Sequence, residues 1–369
     1  MPVGTVADHV RSMGEWLDYF DRETTMRHVR AWFALSMLVS TPAWAASADP
    51  NVKAACRGGD ARQAVRACSR LIDDRQLNAD ERLLAYVHRA NAYDTVGERD
   101  RAKKDYSAAL AIAPKSPWVY RNRGAMFMGA GQLEDALRDF DAAVSLDPSY
   151  GYAWTSRCNV RRLLADRTPA PAARRALYEQ ALVDCEQAFA AGRLDEFLAD
   201  THEVRGLVHQ ALGHVHAALD DFSELIRLRP DSGRARLTRA DTLRLAAQRV
   251  TAPGEQASLL RQAAAEYQHA ITVGRLGQAE VLAHYNRGLV RFQLRQLDLA
   301  IADFTKALDL AANHPLLPYI YAGRAMALAD AGSMAEARKD VATVSSLTRT
   351  GTPDAALDSA REYVEQRGL

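Results

Sequence analysis

The chain has 369 residues, 48% hydrophobic and 25% charged, with a formal net charge of +1. That balance excludes a disordered or collagen-like polymer and provides no bulk attraction to nucleic acid or an anionic membrane. Only 7% of residues are aromatic, alanine is abundant and arginine dominates the basic residues, a composition that suits helices packed on small side chains.

In chain order, residues 1–25 are net acidic and precede a segment, Met26 to Ala48, with a basic start, an apolar run from Ala31 to Ser40, and the small-x-small sequence Ala43-Trp44-Ala45. This pattern predicts a secretory signal peptide over 26–45, with 1–25 as an upstream extension and Met26 as an alternative translation start. It implies a periplasmic or secreted chain with no stable membrane insertion after cleavage. One competing reading is a short cytoplasmic tail with an uncleaved anchor, for which the apolar run is short for spanning a bilayer; another is a cytoplasmic adaptor in which the segment is no signal.

Residues 46–79 read as a degenerate first helical hairpin, with Cys56 and Cys68 on its two arms. From residue 80 to 348 a repeated pattern takes over. A small residue recurs at Ala90, Gly124, Cys158, Gly206, Ala240, Gly288 and Ala325, at spacings of 34, 34, 48, 34, 48 and 37. Behind each follows a second helix with an alanine (Ala102, Ala136, Ala181, Ala218, Ala263, Ala300, Ala337) and, one turn later, Tyr106, Phe140, Cys185, Phe222, Tyr267, Phe304 or Val341. Gly129-Ala130-Gly131 breaks one such pair, and Pro114, Pro148 and Pro230 end their units. Each unit is therefore two amphipathic helices, unable to bury its apolar face alone.

On these slots the chain resembles the tetratricopeptide repeat family. The resemblance implies an all-α fold, a right-handed superhelix of about seven helix-turn-helix repeats. It also implies a non-enzymatic scaffold or adaptor whose first helices line a concave groove for peptides or partner proteins. By repeat alignment the groove-facing slots are Asn91, Trp118, Arg121, Asn122, Tyr152, Asn159, Arg162, Arg244, Tyr285 and Asn286. Asn91 and Asn122 match the asparagines of the carboxylate clamp of some co-chaperone members. Val87, Tyr152 and Ser156 stand where that clamp has basic residues, so the co-chaperone role is not expected.

Two repeats are longer than 34 residues. Their inserts, near 163–180 and 245–262, are similar, and Gly124 to Gly206, like Gly206 to Gly288, is a step of 82, so the array reads as duplicated two-repeat blocks. The inserts are expected to lengthen their hairpins into lobes, or else to be tolerated surface loops. A small-ligand carrier or enzyme-accessory subunit with a pocket walled by these inserts is the alternative function.

In an oxidising compartment the four cysteines predict two disulfides, Cys56 with Cys68 and Cys158 with Cys185, each inside one hairpin; the alternative is four buried thiols. The residue before each small slot is always arginine: Arg89, Arg123, Arg157, Arg205, Arg239, Arg287 and Arg324. The residue before each bulky slot is Asp105, Asp139, Asp184, Asp221, Glu266, Asp303 or Asp340. Opposite charge in every unit predicts a ladder of ion pairs within or between repeats.

No nucleophile elbow, phosphate loop, H-E-x-x-H or C-x-x-C appears. His202, His209, His214 and His216 bracket the Gly213 turn without a completing carboxylate, so neither metal nor cofactor is expected. Residues 349–369 read as a capping helix, with Thr352 as N-cap, Pro353 in its first turn and Ala356, Ala360 and Val364 on one face.

Overall fold

Where a chain alternates alanine-rich amphipathic stretches with three-residue breaks, each stretch folds as a helix and returns against its predecessor. The computed structural model describes residues 50–192, 194, 197–312, 314–347 and 355–367, which contain helices and no strand. The signal-peptide segment and the Thr352-Pro353 cap lie outside the described residues.

The chain divides into two compact units, with the boundary between Val208 and His209. In the first, α1 (Pro50–Arg57) pairs with α2 (Ala61–Asp73), α3 (Ala79–Thr95) with α4 (Arg99–Ile112), α5 (Pro117–Gly129) with α6 (Leu133–Leu146), and α7 (Gly151–Arg167) with α8 (Pro171–Ala191). Helix α9 (Leu198–Leu212) contains the boundary. The second unit continues with α10 (Val215–Leu228), then pairs α11 (Gly233–Arg249) with α12 (Pro253–Val273), α13 (Ala279–Gln293) with α14 (Leu297–Leu310), and α15 (Leu317–Asp330) with α16 (Met334–Leu347). It ends at α17 (Ala355–Arg367). The fold is an all-α solenoid of stacked hairpins.

The hairpin turn comes from one position, seven residues after the small slot. Gly97, Gly131, Gly213 and Gly332 occupy it with φ between +76° and +86°, a region that an L side chain enters only with strain. The two long repeats hold Ala165 and Ala247 there instead. Nothing stops the first helix, so it runs on to Arg167 or Arg249, and the second starts at Pro171 or Pro253, where proline suits the first turn. The inserts are thus absorbed as extra helical turns, leaving three-residue connections.

The core is a row of small residues under rings. A Cβ on Gly124 would come within 2.7 Å of the Phe140 ring, and one on Gly288 within 2.8 Å of Phe304. Tyr106, Phe140, Phe222, Tyr267 and Phe304 are all fully buried. Two hairpins replace this ring contact with a covalent one. Cys56 is bonded to Cys68, and Cys158 to Cys185, with Cα separations of 4.8 and 5.4 Å.

The charge ladder is present and does two things at once. Arg89, Arg123, Arg157 and Arg324 each clasp the aspartate of their own repeat with Nε and Nη2, at 2.6 to 3.0 Å. Arg287 holds Asp303 with Nε at 3.0 Å, while Glu266 receives a single bond from Arg239, at 3.2 Å. In four of these arginines the free Nη1 then reaches back to the second helix of the preceding hairpin. Arg89 donates to Ser69 (3.0 Å), Arg157 to Asp141 (2.9 Å), Arg287 to Gln268 (2.6 Å) and Arg324 to Thr305 (3.2 Å). Each acceptor follows the bulky slot, so one planar guanidinium fork joins two hairpins, a geometry that lysine lacks. Arg205 and Asp221 lie in different units.

Acid sensitivity is expected at the start of the first unit. Burial, and then the Arg57 charge, lowers the His88 imidazole from 6.5 to about 4. The unfolded chain therefore takes up a proton between pH 6.5 and about 4 that the folded one refuses, so stability falls as pH falls through that window, by about 3 kcal/mol in full. Urea titrations at pH 7.5 and pH 4 should show this loss in the wild type and a reduced one in His88→Leu.

Candidate partner-binding face

Helices with three-residue turns bring first helices into register, so equivalent slots on α3, α5 and α7 share one side of their unit. Asn91 is buried there, and its Oδ1 accepts a hydrogen bond from Tyr106, whose phenol burial pushes far above the usual range. Trp118 packs its ring, partly exposed, on the apolar core.

The densest group spans α5, α7 and the residue before α9. Arg121 is 3% exposed. Its Nη1 donates to Asn122 Oδ1 (3.1 Å), its Nε reaches Ser156 Oγ (3.4 Å), and its guanidinium lies 5.1 Å from the centre of the Phe197 ring. Phe197 in turn packs on Tyr152 at 4.4 Å between centroids. Arg121 Nη2 is buried without a hydrogen-bond partner, and among the described residues no carboxylate forms an ion pair with this guanidinium.

One turn further along α7, Asn159 Oδ1 accepts from Arg162 Nε (3.3 Å) and Nη2 (3.1 Å), and Arg162 Nη1 donates to Asp166 (2.8 Å). The Asp166 carboxylate also accepts from Tyr178 of α8, so the lengthened hairpin supplies the counter-charge.

In the second unit, Arg244, Tyr285 and Asn286 gather around a residue that slot reasoning missed, Asp241. Its carboxylate accepts from Asn286 Nδ2 (2.9 Å) and from Tyr267. Burial raises the Asp241 carboxyl above its ordinary range, against the pull of Arg244, Tyr267 and Asn286. Burial also raises Tyr267 and Tyr285, although Arg244 draws both down. Asp241 occupies the slot held by Asn91 and Asn159 in their repeats, a signal that the alignment contained.

Apart from the carboxylates of Asp166 and Asp241, these groups are hydrogen-bond donors, rings and amides, which suit contacts to backbone and carboxylate groups. Of the four histidines, His209 and His214 meet through their Nδ1 atoms at 3.3 Å, and His202 packs on Phe189. No cluster of three or more metal-ligating side chains occurs among the described residues. Nor is any described helix long and apolar enough to cross a membrane.

The family model for the tetratricopeptide repeat matches residues 83–116 and 281–314, which are the α3–α4 and α13–α14 hairpins. Among solved structures, the Cut9-Hcn1 hetero-tetramer of the APC/C is similar at 14% identity and a TM-score of 0.51, over 83% of this chain and 52% of that one. The C-terminal part of a repeat-containing protein from Cytophaga hutchinsonii matches at 16% identity and 0.50, over 74% and 98%. The pilF protein of Pseudomonas aeruginosa matches at 17% and 0.50, over 64% and 94%. Likeness at that level speaks for the fold alone. With two hairpins matched in sequence and the small-residue slot recurring in the other five, the chain is a tetratricopeptide repeat protein.

Proposed function

We propose that the chain is a non-enzymatic scaffold of the bacterial cell envelope that binds peptides or partner proteins on the first-helix face of its hairpins. The repeat fold supports a protein–protein interaction role in general, since stacked hairpins present a continuous ligand-accepting surface. The observation that carries the specific reading is Arg121: a buried guanidinium with one nitrogen unpaired, beside the partly exposed Asn122 and Tyr152. A buried guanidinium nitrogen with no hydrogen-bond partner among the described residues is costly, and an anionic group on a bound chain relieves that cost. An envelope location is supported by the signal-like segment over 26–45 and by two intrachain disulfides, a bonding state that oxidising compartments favour.

Crosslinking pull-downs from envelope fractions test the reading. Arg121→Ala with Asn122→Ala is expected to weaken capture of specific partners at least tenfold, the scale of an interface hot spot, while leaving helix content unchanged. Capture equal to wild type would show that this face is not used. For export, sequencing of the mature N-terminus should find cleavage after Ala45, and a cytosolic chain beginning at Met1 would defeat the envelope reading. A pocket walled by the inserts has less to recommend it, because both inserts became extra helical turns.

A further inference from the structure

At every other junction whose helices lie within one unit, the incoming first helix packs mainly on the second helix of the hairpin before it. Helix α17 does the opposite. It packs mainly on α15, a first helix, and its Tyr363 ring reaches past α15 to Phe292 of α13, 6.3 Å between centroids. Ala360 clusters with Ala322 and Met326 of α15 and Val344 of α16, and Val364 with Ala325 and Ala329 of α15 and Ala337 of α16. Ser359 stands at the slot where each repeat carries its stapling arginine, so α17 brings no guanidinium to join it to α16 in the manner of its predecessors.

What fixes α17 is a polar latch on Asp330, at the end of α15. The Asp330 side chain is 1% exposed and accepts from Tyr363 Oη (2.9 Å), from Arg367 and from Arg295. Arg295 is placed for this by taking the left-handed turn position, φ 60°, that other repeats fill with glycine. Among the α17 side chains that the structure describes, Ala360 and Val364 are buried, while Asp358, Arg361, Glu362, Glu365 and Arg367 are exposed.

We infer that α17 is a resident ligand of the first-helix face over α13 and α15, and that this face also accepts a partner's amphipathic helix of the same chemistry. Such a helix carries a small apolar residue, a tyrosine three positions on, a β-branched residue next, and a basic residue three beyond that. The buried Asp330 carboxylate sets the specificity, because an occupant lacking a hydroxyl or cationic donor leaves it short of hydrogen bonds. Displacement of α17 is the step that opens the face. The inference rests on the partner-binding reading above but uses a different set of hairpins, so loss of capture through Arg121 would leave its test unaffected.

The probe is a fluorescein-labelled synthetic peptide spanning residues 355–367, titrated into the full chain and into the full-length double variant Tyr363→Ala, Arg367→Ala. The variant is expected to bind the peptide at least tenfold more tightly than the wild type, with the unlabelled peptide competing and its own Tyr-to-Ala, Arg-to-Ala form failing to compete. Hydrogen exchange on the wild type gives a second reading that needs no variant: amides of α17 should exchange well before those of α15 and α16. Equal affinity for the two chains, no saturable binding by a folded variant, or exchange of α17 in step with α15 and α16 would each overturn the inference.

Discussion

Asp303→Ala is expected to destabilise the second unit by about 3 to 5 kcal/mol, the cost of leaving buried charge without its partner. Asp303 is 2% exposed and accepts from both Arg287 and Arg291, the latter at 2.8 Å. Removing it strands two guanidiniums at once. Urea midpoints should fall far more for this variant than for Asp135→Ala, whose exposed partner Arg138 loses nothing that water cannot replace. The acid limb of stability should change as well. Burial works to raise the Asp303 carboxyl, but hydrogen bonds from His284 and Arg287 and the charges of Arg287 and Arg291 together hold it below 3.8. A folded value below the unfolded one means that the stabilisation is complete above 3.8 and is lost as pH falls through the folded value. The variant should lack that part of the acid loss while keeping the His88 part, which belongs to a higher window. A midpoint shift under 1 kcal/mol would mean that the rung is no stronger than a surface pair.

Cys158→Ser with Cys185→Ser is expected to cost the first unit about 3 to 4 kcal/mol, since the bond closes a 27-residue separation in the unfolded chain, and reduction, which also opens Cys56–Cys68, should cost more. The loss is aggravated by what the slot lacks. Where neighbouring repeats hold a phenylalanine or tyrosine ring, this one holds two sulfurs, so the reduced hairpin has little in the core to keep α7 against α8. Cys158→Gly with Cys185→Phe installs the Gly124–Phe140 arrangement at the same place, and part of the loss should be recovered under reducing conditions. Denaturation with and without a thiol reductant separates these cases. Because α7 carries Tyr152, Asn159 and Arg162, partner capture by the first unit should weaken on reduction in the same order. Stability unaltered by reductant would show that the bond adds nothing beyond ordinary packing.

Slot periodicity made the fold readable because each slot has one physical job: a small residue under a ring, an arginine facing a carboxylate, a turn residue at positive φ. Insert length was readable too. Its helical form is signalled as well, since Ala165 and Ala247 occupy the turn position and give the helix no reason to stop. The candidate face was harder. Asn91, Arg121, Asn159, Arg162, Arg244, Tyr285 and Asn286 are buried rather than solvated, because the slots that border a groove also touch the neighbouring helix, and spacing says nothing about helix tilt. Phe197 lies outside the repeat slots, so no alignment could bring it to Arg121. The lean of α17 toward α15 depends on Asp330 and Arg295, contacts that no local pattern encodes.

The arginine fork has a consequence for how order is lost. At four junctions its Nη1 points toward the earlier hairpin, so a hairpin that melts takes an acceptor away from its successor and a donor away from its predecessor. Fraying within a unit should therefore meet an added cost at each stapled junction, from whichever side it starts. Under tension, each unit would yield in discrete steps, one stapled hairpin at a time, rather than all at once.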